Sequence, residues 1–315
     1  MATNPFTVAS TNRSIYKTVM LRILLLSIAY LLPFHFSLSA EDLVFAKDSE
    51  WEVVSTGHEF AEGMAWDTEG HFFFTDVPRN QLFRVDALTG EKTLFDDDTG
   101  ETNGLALAPD GRIYGCASGA KGIHIWDPKT GERTTIETGT LSNDIAILKD
   151  GTIFYTDPHS KLVWRLESGT HQLSKAATLP WLPNGITLSK DQQTLLVAEF
   201  FGDTIHGFPI GKDSKLTGTS FPAYKVATPT DQVGTLDGML PLPDGRLLCG
   251  TALGAQIVPP VHAGSYAKTQ HIVIPSPDGR PRCNYVRISP DRQWLYTAYR
   301  DDLLRRRLAE GFGQR

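Results

Sequence analysis

Two carboxylates and four amides are the residues of this chain best spaced to do chemistry together. Glu62, Asn103, Asn143, Asn184, Asp237 and Asn284 each stand seven positions before an acidic residue of a turn, respectively Glu69, Asp110, Asp150, Asp191, Asp244 and Asp291. A constant offset means that each oxygen-bearing side chain starts an equivalent short strand, and six equivalent strands in a ring would aim those side chains at one point. Two carboxylates about 6 Å apart at an effective dielectric near 20 repel by roughly 3 kcal/mol. That is enough to raise a pKa or to draw in a cation. Carboxylates and Asn carbonyls, completed by water, suit calcium, with magnesium and manganese as the other hard-cation options. Zinc is the less natural occupant, because it draws on His and Cys and only Cys283 adjoins this set.

The competing use of these residues is turn chemistry, since Asn-Gly, Asp-Gly and Glu-Gly pairs recur in turns. Asn103 and Asn284 suit that use best, whereas charge and convergence set Glu62, Asn143, Asn184 and Asp237 apart. The residue after the ring position is Gly63, Gly104, Gly185 or Gly238 in four units, Tyr285 in the sixth and Asp144 in the third. A carboxylate one residue beyond Asn143 is placed to take a proton from water; an Asx-turn role is its alternative.

The elements that carry these residues repeat. Successive turn acids are separated by 41, 40, 41, 53 and 47 residues, close to the roughly 40–50 residue period of a propeller blade. Each is followed by a run rich in β-branched and aromatic residues, such as His71–Thr75, Thr152–Thr156 and Trp294–Ala298, which reads as a buried strand entered through a hairpin. A third strand follows in most units, as in Gln81–Asp86, Gly122–Asp127 and Leu162–Leu166, and turns at Thr89-Gly90 and Thr130-Gly131 lead to a fourth. With no convincing helical period in this region, the chain reads as an all-β, six-bladed β-propeller of four-stranded blades. The sixth unit runs out after its third strand, and Trp51–Thr56 is free to supply the fourth. Pairing the two ends would close the ring and remove an exposed edge.

In that geometry the second strand of each blade returns to the ring face. Asp76, Ser118, Asp157 to His159, Glu199 with Phe200, Thr251, and Tyr299 with Arg300 then surround the mouth. Asn103, Asn143, His159, Trp181, Phe200 and Arg300 are the candidates for binding substrate. His159 has no visible Ser partner and Cys283 no visible His, so neither reads as half of a nucleophile pair. The glycines sit in turns without a following helix, so no phosphate loop stands out.

Residues 1–40 carry Arg13, Lys17 and Arg22, no acid, then the apolar stretch Ile23–Phe36 and Ser37-Leu38-Ser39-Ala40. That order reads as a signal peptide, with a mature chain from Glu41 in the periplasm or outside the cell; an uncleaved membrane anchor is the alternative. Loss of the three cations takes the net charge from −6 to −9. An acidic chain without a basic stripe is a poor partner for nucleic acid. Three cysteines without CxxC spacing imply no disulfide framework. The sequence is silent on oligomeric state.

Glu62-Gly63-Met64-Ala65-Trp66, Thr102-Asn103-Gly104-Leu105-Ala106-Leu107, Ser142-Asn143-Asp144 before Thr156-Asp157-Pro158, Pro183-Asn184-Gly185-Ile186, Asp237-Gly238-Met239 and Cys283-Asn284 resemble, in order, the signatures of the gluconolactonase and senescence-marker-protein (regucalcin) family. The resemblance covers about residues 51–300. It implies a calcium-dependent propeller that hydrolyses lactones, with Glu62, Asn184 and Asp237 as metal ligands and Asn143 as a fourth ligand or a substrate contact. It also supports an acid/base role for Asp144. Two departures bear on substrate choice: His159-Ser160-Lys161-Leu162 follows Pro158 directly where many members carry a longer rim loop, and Cys283 stands where Thr is common.

The expected chemistry is hydrolysis of a small lactone or ester. The metal polarises the carbonyl and Asp144 activates water; direct attack by Asp237 is the other route. A sugar- or protein-binding propeller with structural calcium and an organophosphate-type hydrolase are the alternatives, because fold does not set reaction.

Overall fold

The computed structural model describes residues 43–229, 234–261, 271–280 and 282–313. The export segment inferred for residues 1–40, and its cleavage, lie outside these residues. The described chain forms six four-stranded antiparallel sheets, one per blade. Among the described residues there is no α-helix, only a 3-10 turn at Pro277–Gly279.

The innermost strands are Ala61–Trp66, Thr102–Leu107, Ile145–Ile147, Pro183–Leu188, Met239–Pro241 and Cys283–Ile288. They pack side by side in that order, and the sixth packs back on the first. The second strands, for example Phe72–Asp76, Ile113–Ala117, Ile153–Asp157 and Leu247–Thr251, are buried at every position. Their β-branched and aromatic residues fill both faces because each blade is sandwiched between two others. One apolar cluster joins Phe154 and Val163 of the third blade to Ile186 and Val197 of the fourth; another joins Phe72 and Phe74 of the first to Tyr296 and Leu303 of the sixth.

The hairpin between first and second strands explains the regular offset. Asp110, Asp150, Asp191, Asp244 and Asp291 each accept, on Oδ1, the backbone N–H two residues ahead. The intervening residue is left-handed in every case, whether Gly or, as at Gln192 and Arg292, a side-chain residue. The first blade differs, since Asp67 rather than Glu69 accepts the turn N–H groups, from Glu69 and His71.

The ring closes as expected. Glu52–Thr56 pairs antiparallel with Asp302–Arg307, matching Glu52 to Arg305 and Thr56 to Asp302. Arg305 and Glu52 form an ion pair at 2.8 Å, and the Phe45–Leu308 bridge extends the contact.

Candidate functional site

Backbone bonds between neighbouring blades set where the ring residues point. The carbonyls of Asn103 and Asn184 accept the hydroxyls of Thr75 and Thr156, which lie on the second strands of the preceding blades. The carbonyls of Asn143 and Asn284 accept N–H groups from Gly104 and Gly238 of the preceding inner strands. The glycines after the ring positions permit this approach: a Cβ on Gly63 would stand 2.0 Å from the Asn103 carbonyl, and one on Gly185 would stand 2.0 Å from that of Asp237. Turn conformation is therefore not what most of these glycines serve. They let the inner strands touch.

Glu62 and Asp237 are 3% and 4% exposed and interact electrostatically. Burial raises the Glu62 pKa well above the usual carboxylate range, the charge of Asp237 raises it further, and Arg282 opposes both. Burial pushes Asp237 up to about 7; Arg282 lowers it and Asp144 raises it. Glu62 Oε2 is buried and has no hydrogen-bond partner. The side-chain amides of Asn143 and Asn184 are half-buried and make no hydrogen bond to any described residue. Among the described residues no three His, Cys, Asp or Glu side chains cluster as metal ligands, because amides fill the other ring positions. Two buried carboxylates with an orphaned oxygen, beside unspent amide oxygens, form a donor set that fits a hard divalent cation.

Asp144 occupies a different environment from the one its position beside Asn143 suggested. It is 2% exposed. Its Oδ1 accepts the Ile145 N–H at 2.9 Å and the Tyr285 hydroxyl at 2.9 Å, and its Oδ2 accepts the Ile186 N–H at 3.2 Å. Burial raises its pKa, while Arg287 and these donors act against the rise. The Tyr285 hydroxyl also receives Arg287 Nη2 at 2.7 Å. Further along the inner strands, Met64, Leu105, Ile145, Ile186 and Arg287 help line a cavity of about 350 Å³.

Asn103, Asn143 and His159 come together with Glu101 and Ser118 around a cavity of about 280 Å³. Trp181 stacks on His206 at 4.6 Å, and His206 meets Glu199 at 3.1 Å. Arg300 is exposed, and its carbonyl accepts the Ala61 N–H. Asn284 is buried and donates to the Ala61 carbonyl, so it joins the last blade to the first. Several rim side chains turn back into their own blades. Asp76 accepts the N–H groups of Glu59 and Phe60 and contacts His58; Asp157 accepts Ser160 N–H and Trp164 Nε1–H; Thr251 donates to the Gly254 carbonyl.

Arg282 is the residue that the sequence did not single out. Its Nη1 lies 3.5 Å from Asp237 Oδ2, and its guanidinium sits 5.1 Å from the Phe200 ring and 5.9 Å from the Phe60 ring. The available signal was its place two residues before Asn284. The offset from the turn acid, by contrast, marks only the ring positions.

A family model described as the SMP-30/Gluconolactonase/LRE-like region matches residues 60–296. The chain belongs to this family. Among curated relatives, this SMP-30/gluconolactonase-like protein is similar to a gluconolactonase of Zymomonas mobilis, 26% identical over 191 residues. That match covers 50% of the present chain and 53% of the relative, so the chain spans about half the length of the relative it matches. Its fold is shared with a gluconolactonase of Xanthomonas campestris (TM-score 0.70, 22% identity, 84% of this chain and 91% of that one). It is shared too with the calcium-binding protein regucalcin of Agrobacterium tumefaciens (TM-score 0.66, 16% identity, 82% and 93% covered).

Proposed function

We propose that this SMP-30/gluconolactonase-like protein hydrolyses lactones, with sugar lactones such as gluconolactone as its first candidate substrates. The observation that carries this reading is the buried Glu62–Asp237 pair with its orphaned Glu62 Oε2; in the second and third blades, Asn103 and Asn143 line a cavity. Family membership and the gluconolactonase relative support the same class. The cavity's size, about 280 Å³, suits a small polar ring rather than an extended chain.

Glu62, Asp237, Asn184 and Asn143 would hold a divalent cation, calcium ahead of magnesium, manganese or zinc. Such an ion supplies Lewis-acid polarisation of a carbonyl, worth several kcal/mol at the transition state. Asn103, Asn143 and His159 orient the substrate's hydroxyl groups, with Trp181, Phe200 and Arg300 shaping the rim. For the proton acceptor, the sequence points to Asp144, but three donors already occupy its oxygens. A carboxylate so bonded is a poor base. Asp237, whose Oδ2 lies 3.5 Å from Arg282 Nη1, is the carboxylate of the site left for this role. It takes the proton of the attacking water and returns it to the ring oxygen as that bond breaks.

Hydrolysis of a lactone panel by the purified protein tests this, measured before and after chelation and with single metals restored. Turnover above the spontaneous rate, lost on chelation and regained with one ion, is expected. A folded protein that binds metal and turns over no lactone would favour a binding propeller or an organophosphate-type substrate. Single turnover in heavy-oxygen water separates the routes, since label appearing in Asp237 would replace water attack with a covalent intermediate.

A further inference from the structure

Arg282 combines three features that ordinary surface arginines lack. Its side chain is about three-quarters buried, at 26% exposure. Two aromatic rings from different blades, Phe60 of the first and Phe200 of the fourth, contact its guanidinium. Among the described residues none of its five N–H groups makes a hydrogen bond, and its ion-pair contact is with Asp237 at 3.5 Å. Aromatic contacts restrict a guanidinium and strip away water without using its donors. Desolvated donors without acceptors are costly. A planar fork held this way is suited to bidentate capture of a carboxylate.

Resting on the lactonase reading, we infer that Arg282 is the anion-binding residue of the site. It takes the oxygens of the carboxyl group formed as the lactone opens, so its preferred ligand is an open-chain polyhydroxy carboxylate. Water adds its oxygen to the carbonyl carbon and the bond to the ring oxygen breaks. One proton of the water passes to that oxygen, which leaves as a hydroxyl, and the other is released to solvent as the new acid ionises. The carbonyl oxygen gains charge during this step and ends in the carboxylate, while Arg282 remains protonated and donates to it throughout. Asp237, 3.5 Å away, keeps the guanidinium beside the Glu62–Asp237 pair.

Calorimetric titration of the full-length protein with gluconate and with glucitol, its neutral counterpart, tests the assignment in calcium-containing buffer. Gluconate is expected to bind at least tenfold more tightly than glucitol. Arg282→Gln should abolish most of that difference, Arg282→Lys should keep part of it, and Phe200→Leu should weaken gluconate binding severalfold by freeing the guanidinium. Melting curves accompany each variant, and the Lys and Leu variants carry the test if Gln at 282 unfolds the protein. Equal gluconate affinity in the wild type and the folded variants would overturn the inference and leave the carboxylate to the cation. Arg282-dependent gluconate binding without turnover of any lactone would keep the anion site and remove the lactonase reading. Turnover with gluconate binding indifferent to Arg282 would do the reverse.

Discussion

The Tyr285 hydroxyl donates to the Asp144 carboxylate at 2.9 Å, joining inner strands of the third and sixth blades, which stand opposite each other in the ring. Arg287 completes the line, donating to the same hydroxyl at 2.7 Å with its guanidinium 4.3 Å from the Tyr285 ring. Tyr285 and Asp144 are both essentially buried, so this contact braces the centre of the propeller beside the ring residues. A donor removed here leaves a buried carboxylate short of a partner.

Tyr285→Phe is therefore expected to cost on the order of 1–3 kcal/mol, as a buried hydrogen bond to a charged group is lost with little change in packing. Chemical denaturation measures it. Tyr285→Ala should cost more, about 3–5 kcal/mol, through the added cavity. A neutral Phe variant would show that Asp144 is held by its backbone donors alone.

Gly104 tests the close approach of the inner strands without a backbone-strain complication, because its φ is not left-handed. A Cβ there would stand 2.1 Å from Asp144 Oδ1 and 2.8 Å from its Cα. Gly104→Ala is expected to destabilise the fold by about 1–3 kcal/mol or more and to reduce lactone turnover. Unchanged melting would mean that the two strands separate at no cost.

Glu62 and Asp237 hold protons more tightly folded than unfolded, chiefly because of burial. For such groups the folded chain binds more protons between the unfolded pKa, about 4, and the folded one. Their contribution is complete at acid pH and is lost as pH rises through about 7 for Asp237. His58, His124 and His271, lowered by burial, pull the other way. The useful observable is thus the difference between Asp237→Asn and wild type after chelation. At pH 7.5 the variant should be the more stable by on the order of 1–3 kcal/mol, with each pKa unit worth about 1.4 kcal/mol, and the gap should shrink towards pH 4.5. A constant gap across that interval would contradict the shift at Asp237.

The seam between the chain ends makes a separate prediction. A chain lacking residues 1–56 loses the outermost strand of the sixth blade and bares Asp302–Arg307 as an edge. Its melting temperature should fall by on the order of 10 °C, and light scattering should detect self-association through the open edge. A monomer with wild-type stability would show that the pairing is dispensable.

The six-bladed fold was legible because it rests on local rules repeated six times. Each Asx turn is closed by an oxygen two residues from its N–H partner, each second strand is a short β-branched or aromatic run, and Glu52–Thr56 had no other blade to join. The starts of the inner strands were legible for the same reason. The fates of individual side chains were not. Asp76, Asp157 and Thr251 occupy matching strand ends, yet each is committed to its own loop or strand by donors and acceptors whose placement depends on folded backbone. Asp144 follows a ring residue in sequence, but its partners Tyr285 and Ile186 lie 141 and 42 residues away. Arg282 reaches Phe60, Phe200 and Asp237 from three other blades. Sequence by itself determined the repeat and the strand order, because these follow from short-range periodicity. Only the tertiary structure decided which carboxylates are paired, hydrogen-bonded or left with unspent oxygens, because burial and long-range contacts set the electrostatics of each one.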